Sequence, residues 1–202
     1  MFRAALRGFL FCLLMAAMSG VSPAQSFVLD LPAASQRAEI SQRIGLTDIT
    51  IHYHRPLAKD RKIWNGLVPY GKVWRAGANE NTTITFSDPV LIEGKPLAKG
   101  TYGLHMIPTA DEWTIIFSKN ATSWGSFTYD QAEDALRVAV KAQAADLHNA
   151  LTYEFDQLQP DSTVVELEWE KIAVPSQCRL MCMTWCRPAS RNNCATFRST
   201  RG

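Results

Sequence analysis

Apolar residues recur at every second position through most of the chain. Within 47–54, Ile49, Ile51 and Tyr53 share one face, and Thr50, His52 and His54 share the other. That two-residue period is the mark of a half-buried strand. Residues 82–86 and 90–92 are short apolar strands, and Glu93-Gly94-Lys95-Pro96 is a turn. In 100–107, Tyr102, Leu104 and Met106 lie on one face, with Thr101 and His105 opposite. Trp113, Ile115 and Phe117 alternate with Thr114 and Ile116. Leu151, Tyr153 and Phe155 repeat the pattern, as do Val165, Leu167 and Trp169 against Val164, Glu166, Glu168 and Glu170.

One stretch is ambiguous. Residues 130–145 are rich in helix formers, yet Leu136, Val138 and Val140 alternate. A strand over 135–142 after a short helical turn near 129–134 satisfies both signals. Eight or so short strands with turns every 8–12 residues predict an all-β fold. The expected form is a single-domain antiparallel β-sandwich or jelly roll with at most one short helix. No β-α-β alternation, GxGxxG, P-loop or GxSxG motif interrupts the pattern.

The two ends depart from it. Residues 1–24 combine Arg3 and Arg7, an apolar run from Gly8 to Met18, and small residues at 22 and 24. They read as a secretory signal peptide cleaved after Ala24. A periplasmic or extracellular protein without a membrane span after cleavage follows. After Pro175 the composition changes abruptly: residues 177–202 hold no Asp, Glu, Val, Ile or Tyr. The segment 176–202 is therefore expected to lie outside the folding unit, as a disordered tail or a frame-shifted reading of a GC-rich gene. Four of the five cysteines, Cys178, Cys182, Cys186 and Cys194, fall there. Their spacing allows two disulfides or a four-cysteine zinc site.

Charge narrows the partners. The chain has 21 basic and 19 acidic residues, but every acidic residue lies between Asp30 and Glu170. Arg3, Arg7 and the five arginines from Arg179 onward fall outside 25–175, which carries 14 basic residues, a net charge of −5. An acidic body without a basic, aromatic-interleaved patch excludes nucleic acid as the expected partner.

Two constellations carry candidate chemistry. His52 and His54 project from one strand face, where two imidazoles could grip one metal. Glu80, His105 or Asp60 would have to supply a third ligand. The competing reading makes them polar residues on the wet face of a strand. The second is Trp74-Arg75-Ala76-Gly77-Ala78-Asn79-Glu80-Asn81. An arginine can clamp a carboxylate or sulfate through two parallel hydrogen bonds, and a tryptophan can stack on a sugar ring. Structurally, Trp74 could equally anchor the core, with Arg75 paired to Glu80. A polar loop over 120–126, with Trp124-Gly125, could rim a pocket or fold back on the body.

These residues also carry a resemblance. Tyr53-His54-Arg55-Pro56, Lys59-Asp60-Arg61, Leu67-Val68-Pro69-Tyr70-Gly71, the run 73–80, Gly94-Lys95 and Lys99-Gly100-Thr101-Tyr102 resemble the bacterial family DUF2911. So do Ile107-Pro108, Glu112-Trp113-Thr114, Trp124-Gly125, 134–138 and Leu167-Glu168-Trp169. The likeness covers about 26–175. It implies a secreted protein of bacteria with two membranes, carries over no catalytic residue, and implies a final strand after Val174. The departure from Gln177 onward puts completion of the sheet in doubt.

Two functions from different classes follow, with a third beside them. The favoured one is binding of a small polar or anionic ligand, or of a cell-envelope component, without chemistry. Its candidate residues are Arg55, Arg61, Trp74, Arg75, Asn79, Glu80 and Trp124. The alternative is a metal-dependent hydrolase or lyase in which His52 and His54, with Glu80 or His105, hold a divalent ion such as zinc that activates water. A structural role in an envelope assembly is the third.

Overall fold

The alternation of Ile49, Ile51 and Tyr53 with His52 and His54 becomes a strand with its apolar face buried, and the same conversion repeats along the chain. A computed structural model describes residues 32–181. The leader, its expected cleavage after Ala24, and Cys182, Cys186 and Cys194 lie outside the described residues. The strands are β1 (Gln36–Ile44), β2 (Thr47–Arg55), β3 (Thr83–Phe86), β4 (Val90–Ile92) and β5 (Lys95–Leu97). They continue as β6 (Gly100–Ile107), β7 (Glu112–Ser118), β8 (Asp134–Lys141), β9 (Gln143–Asp156) and β10 (Ser162–Leu180). They form two antiparallel sheets: six strands in the order β1-β2-β3-β6-β7-β8, and four in the order β5-β4-β10-β9. The architecture is all-β and sandwich-like. Among the described residues the helical content is a single 3-10 turn, Gln131–Glu133, capped by the Asp130 carboxylate.

The ambiguous segment resolves as strand. The turn Gln131–Glu133 leads directly into β8, whose Val138 and Val140 are buried against the core. Pairing with β7 supplies tertiary hydrogen bonds and apolar contacts that outweigh local helix propensity. Strand β1 is less apparent in the sequence. It is an edge strand whose half-buried positions Ala38 and Ile40 are separated by charged and polar residues.

The core side chains of the two sheets meet in a continuous apolar layer. A cavity of about 20 Å³ remains among Ile84, Met106, Tyr153, Leu167 and Cys178, room for about one water molecule. Four of the six tryptophans gather in this layer. Trp113 comes from the six-stranded sheet and Trp169 from the four-stranded one. Trp64 and Trp74 come from the long connection between β2 and β3. Trp64 packs edge-on against Trp113 at 4.7 Å and Trp169 at 5.7 Å, while Trp74 stacks on Trp169 at 5.9 Å. Such edge-to-face and stacked pairs add to plain area burial. They bind an irregular segment as firmly as a strand.

The end of β10 overturns one expectation. The strand does not stop near Pro175 but continues through Leu180. Its last residues pair with β4, Cys178 opposite Ile92 and Leu180 opposite Val90. Val174, Ser176 and Cys178 are all buried, so the two-residue period runs straight across the change in composition. Cys178 is a free thiol that behaves as a small apolar side chain, and burial pushes its pKa up to about 12. Pro175 sits after the last residue paired to β9, Ala173, and before the first paired to β4, Cys178. There its missing N–H costs no ladder bond. The sheet whose completion the sequence left in doubt is thus completed by residues the composition set aside.

One glycine shows how tightly the outer face of the six-stranded sheet is covered. A Cβ on Gly103, in the middle of β6, would be driven into the Asn120 carbonyl oxygen and the Asn81 amide. Both belong to segments lying over that face. Gly103→Ala is therefore expected to destabilise the protein by about 1–3 kcal/mol, the usual cost of overpacking. Urea unfolding measures this; an unchanged midpoint would show that the covering segments are not pressed onto the sheet.

Candidate functional site

The motif at 74–81 continues β6 outward. Trp74 exchanges both backbone hydrogen bonds with Met106 at 2.8 Å, taking up the position beside β6 that β3 occupies further along. This pairing sends the Trp74 side chain toward the core, where its indole N–H donates to the Gly77 carbonyl at 3.1 Å. The next residue, Arg75, belongs to the opposite face by strand alternation. Trp74 is thus a core anchor, not a stacking platform for a ligand.

The rest of the motif is held in a backbone conformation that most residues avoid. Ala76 and Asn79 have φ of 51° and 57°, a left-handed region that costs non-glycine residues free energy. Surrounding groups hold them there. The Ala76 carbonyl accepts the Tyr153 hydroxyl at 2.8 Å and the Thr82 hydroxyl at 3.2 Å. The Asn79 amide donates to the Ser35 carbonyl at 3.2 Å. Tyr153 is fully buried on β9, so a hydroxyl from the four-stranded sheet fixes a loop of the other. Burial also raises its pKa well above that of a free phenol.

A second loop, 119–130, lies over the first. Glu80 and Trp124 form an isolated antiparallel bridge. The Asn81 N–H donates to the Ser123 carbonyl at 3.1 Å and its side-chain amide to the Asn120 carbonyl at 3.2 Å. His105, on β6 beneath this loop, is buried, with Nδ1 2.9 Å from the Ser126 hydroxyl and its ring 5.3 Å from Tyr129. The Tyr129 hydroxyl donates to the Asp134 carboxylate at 2.7 Å and accepts from Arg137 at 2.6 Å. The loop is therefore tied at both ends to the sheet it covers.

The expected ligand residues divide sharply. Arg55 is committed to β9, with Nε on the Leu151 carbonyl at 3.0 Å and Nη2 on the Thr152 hydroxyl at 2.7 Å. Arg61 folds back onto the carbonyls of Ala58 and Leu57 in its own loop. Asn79 is spent on Ser35. Arg75, Glu80 and Trp124 are brought together instead. The anticipated Arg75–Glu80 pair does not form: the Glu80 carboxylate turns to His54, with Oε2 3.2 Å from Nε2. Arg75 is left half-buried, with Nε enclosed and without a hydrogen-bond partner. Among the described residues no carboxylate lies within ion-pair distance of it. Burial lowers its pKa from the usual guanidinium value. A half-buried cation without a counter-charge among the described residues is costly, and an anion reaching the exposed part of the guanidinium would offset that cost.

The metal candidates do not assemble. His52 sits 3.3 Å from Glu39 on the neighbouring edge strand, though Nδ1 is not aligned for a hydrogen bond with it. His54 faces Glu80, and His105 faces Ser126. Among the described residues, including Asp60, no group of three or more His, Cys, Asp or Glu side chains is placed to hold a metal ion. His52 and His54 share a face as their spacing predicts, but each takes a different carboxylate partner.

Sequence reasoning passed over Phe127, one residue beyond the 120–126 loop, and gave no separate role to Ser126 or Asn81. Phe127 is 84% exposed on the same loop as Trp124. The available signal was Gly103, an isolated glycine inside a strand, which marks a place where another chain segment approaches closely.

Burial brings the His105 pKa down to about 4, against a smaller upward pull from Asp134. The unfolded chain protonates this residue below its ordinary value of 6.5, whereas the folded chain resists until about pH 4. Stability from this group is complete above pH 6.5 and falls away between 6.5 and 4, by about 2 kcal/mol at pH 5. Urea unfolding at pH 7 and pH 5 should show this loss in the native protein, and a smaller one in His105→Asn. Equal losses in both would place the effect elsewhere.

Neither the curated proteins nor the solved structures include a significant match to the chain. The family model DUF2911, described as a protein of unknown function, matches residues 35–177, and the chain belongs to that family.

Proposed function

We propose that this protein is a secreted or periplasmic binding protein for a small anionic ligand or an anionic component of the cell envelope. The observation that carries this reading is Arg75, a half-buried guanidinium with an enclosed, unpartnered Nε and no carboxylate beside it. The loop bearing it is rigid, its strained Ala76 and Asn79 held by Tyr153, Thr82 and Ser35. With that backbone held, only the Arg75 side chain remains to be ordered when an anion docks, which limits the entropy cost of binding. Its planar fork suits a carboxylate, phosphate or sulfate bidentately. The leader-like residues 1–24 support the compartment. Glu80 with His54, and Trp124, stand at the edge of the site as groups for the uncharged part of a ligand.

The Arg75 test separates binding from structure. With malonate and inorganic phosphate as probes, calorimetry or amide chemical shifts should show saturable binding to the native protein. Arg75→Met should weaken it about 10- to 100-fold, the loss expected for a charge-assisted hydrogen-bonded contact. Removing a half-buried, uncompensated cation should leave the melting temperature of the free protein unchanged or raised. A structural arginine would behave oppositely, with Arg75→Met lowering the melting temperature. Binding undiminished in Arg75→Met, or no binding of either anion to the native protein, overturns the proposal.

A further inference from the structure

Arg75 has company that an anion alone does not explain. Trp124 is 60% exposed and Phe127 84% exposed on the loop that covers the sheet. The point where a Gly125 side chain would stand lies 3.1 Å from Arg75 Nη1 and also 3.1 Å from Phe127 Cε2. Guanidinium and aromatic ring therefore converge over a residue that places no side chain between them. Gly125 has φ of 67°, a conformation glycine adopts without strain. The rings are not on a loose tip: Ser123, Asn120 and Ser126 tether the loop to Asn81 and His105. Two large rings held in water contribute little to the core while forgoing the free energy of burial.

The ligand must match three kinds of surface at once. A free phosphate or small carboxylate would use Arg75 and leave the rings untouched. An aromatic or fatty acid would use the rings but press apolar surface against Glu80 and His54, whose polar groups would lose water without gaining a partner. A sugar ring offers a C–H face to an aromatic ring and hydroxyls to the Glu80 carboxylate and the His54 imidazole. A uronic acid adds a carboxylate for Arg75. Building on the reading of Arg75 as an anion site, we propose that its ligand is an acidic saccharide. The carboxylate sits on the Arg75 guanidinium and the sugar face stacks on Trp124 or Phe127.

The acidity of the body does not oppose this. Asp146, Glu154, Asp156, Glu166, Glu168 and Glu170 all lie on β9 and β10, in the other sheet. At physiological ionic strength exposed charges farther away than about 8 Å are largely screened. The face carrying Arg75 belongs to the six-stranded sheet, and Glu80, in the same motif, is engaged by His54.

The test uses the full mature chain and four probes. These are tetrameric oligogalacturonate, its methyl ester, an alginate tetramer as a second acidic backbone, and malonate. At least one acidic tetramer should bind about tenfold tighter than malonate, and esterification should cost about tenfold or more. The double variant Trp124→Ala/Phe127→Ala, altered only at exposed rings, should lose about tenfold in tetramer affinity and keep malonate binding. If malonate binds through Arg75 but neither tetramer binds tighter, or the double variant binds tetramer undiminished, the saccharide proposal is wrong and the anion site stands. If neither malonate nor the tetramers bind, both fall together.

Discussion

The structure depends on four tryptophans that lock an irregular connection between two sheets. Trp113 belongs to the six-stranded sheet and Trp169 to the four-stranded one. Trp64 lies edge-on to both, and Trp74 stacks on Trp169. The connection between β2 and β3 has no regular ladder to hold it. Isolated backbone bonds, such as those between Trp74 and Met106, pin it at points, and the indoles add packing between those points. Close packing of the rings restricts the segment further.

From this anchor the site follows by alternation. Trp74 points inward, so Arg75 belongs to the outer face. The chain then turns through Ala76 and Asn79 at positive φ, a conformation these residues would abandon in isolation. Tyr153 and Thr82 hold the Ala76 carbonyl from two directions, one of them from the opposite sheet. The free energy stored in the turn is thus offset by hydrogen bonds and packing elsewhere. What results is a guanidinium carried on a held backbone, and this, rather than any enclosed chamber, is what supports the proposed anion site.

Charge follows the same division of labour between the sheets. The four-stranded sheet sets Glu166 directly opposite Glu154 and pairs Glu168 with His148. Burial and neighbouring carboxylates raise the pKa values of Glu166 and Glu168. The six-stranded sheet carries both signs, with Glu39, Asp48, Glu112 and Asp134 among its histidines and arginines, and several of these are paired. A net charge summed over the whole body conceals this asymmetry, because the sum holds no information on which sheet a residue joins.

Period two was legible in most strands, though not in β1 or the short β5, and with it the all-β class, the burial of Ile49, Ile51 and Tyr53, and the strand nature of β8. It was also present in Val174, Ser176 and Cys178, where the shift to Cys, Arg and Ser obscured it. A residue's face depends on spacing, whereas composition only biases the identity of what is buried. Residue type alone did not separate the candidate arginines: Arg55 and Arg61 look like Arg75 in the sequence and are bound to backbone carbonyls in the fold. By itself, then, the sequence determined the elements and which face of each seeks the core, because those follow from local geometry and the transfer of apolar groups out of water. Tertiary structure alone decided that His54 meets Glu80, that His52 meets Glu39, and that Arg75 Nε finds no hydrogen-bond partner among the described residues. Those outcomes depend on which strands become neighbours and where long loops return, and contacts between residues far apart in the chain leave no periodic trace in it.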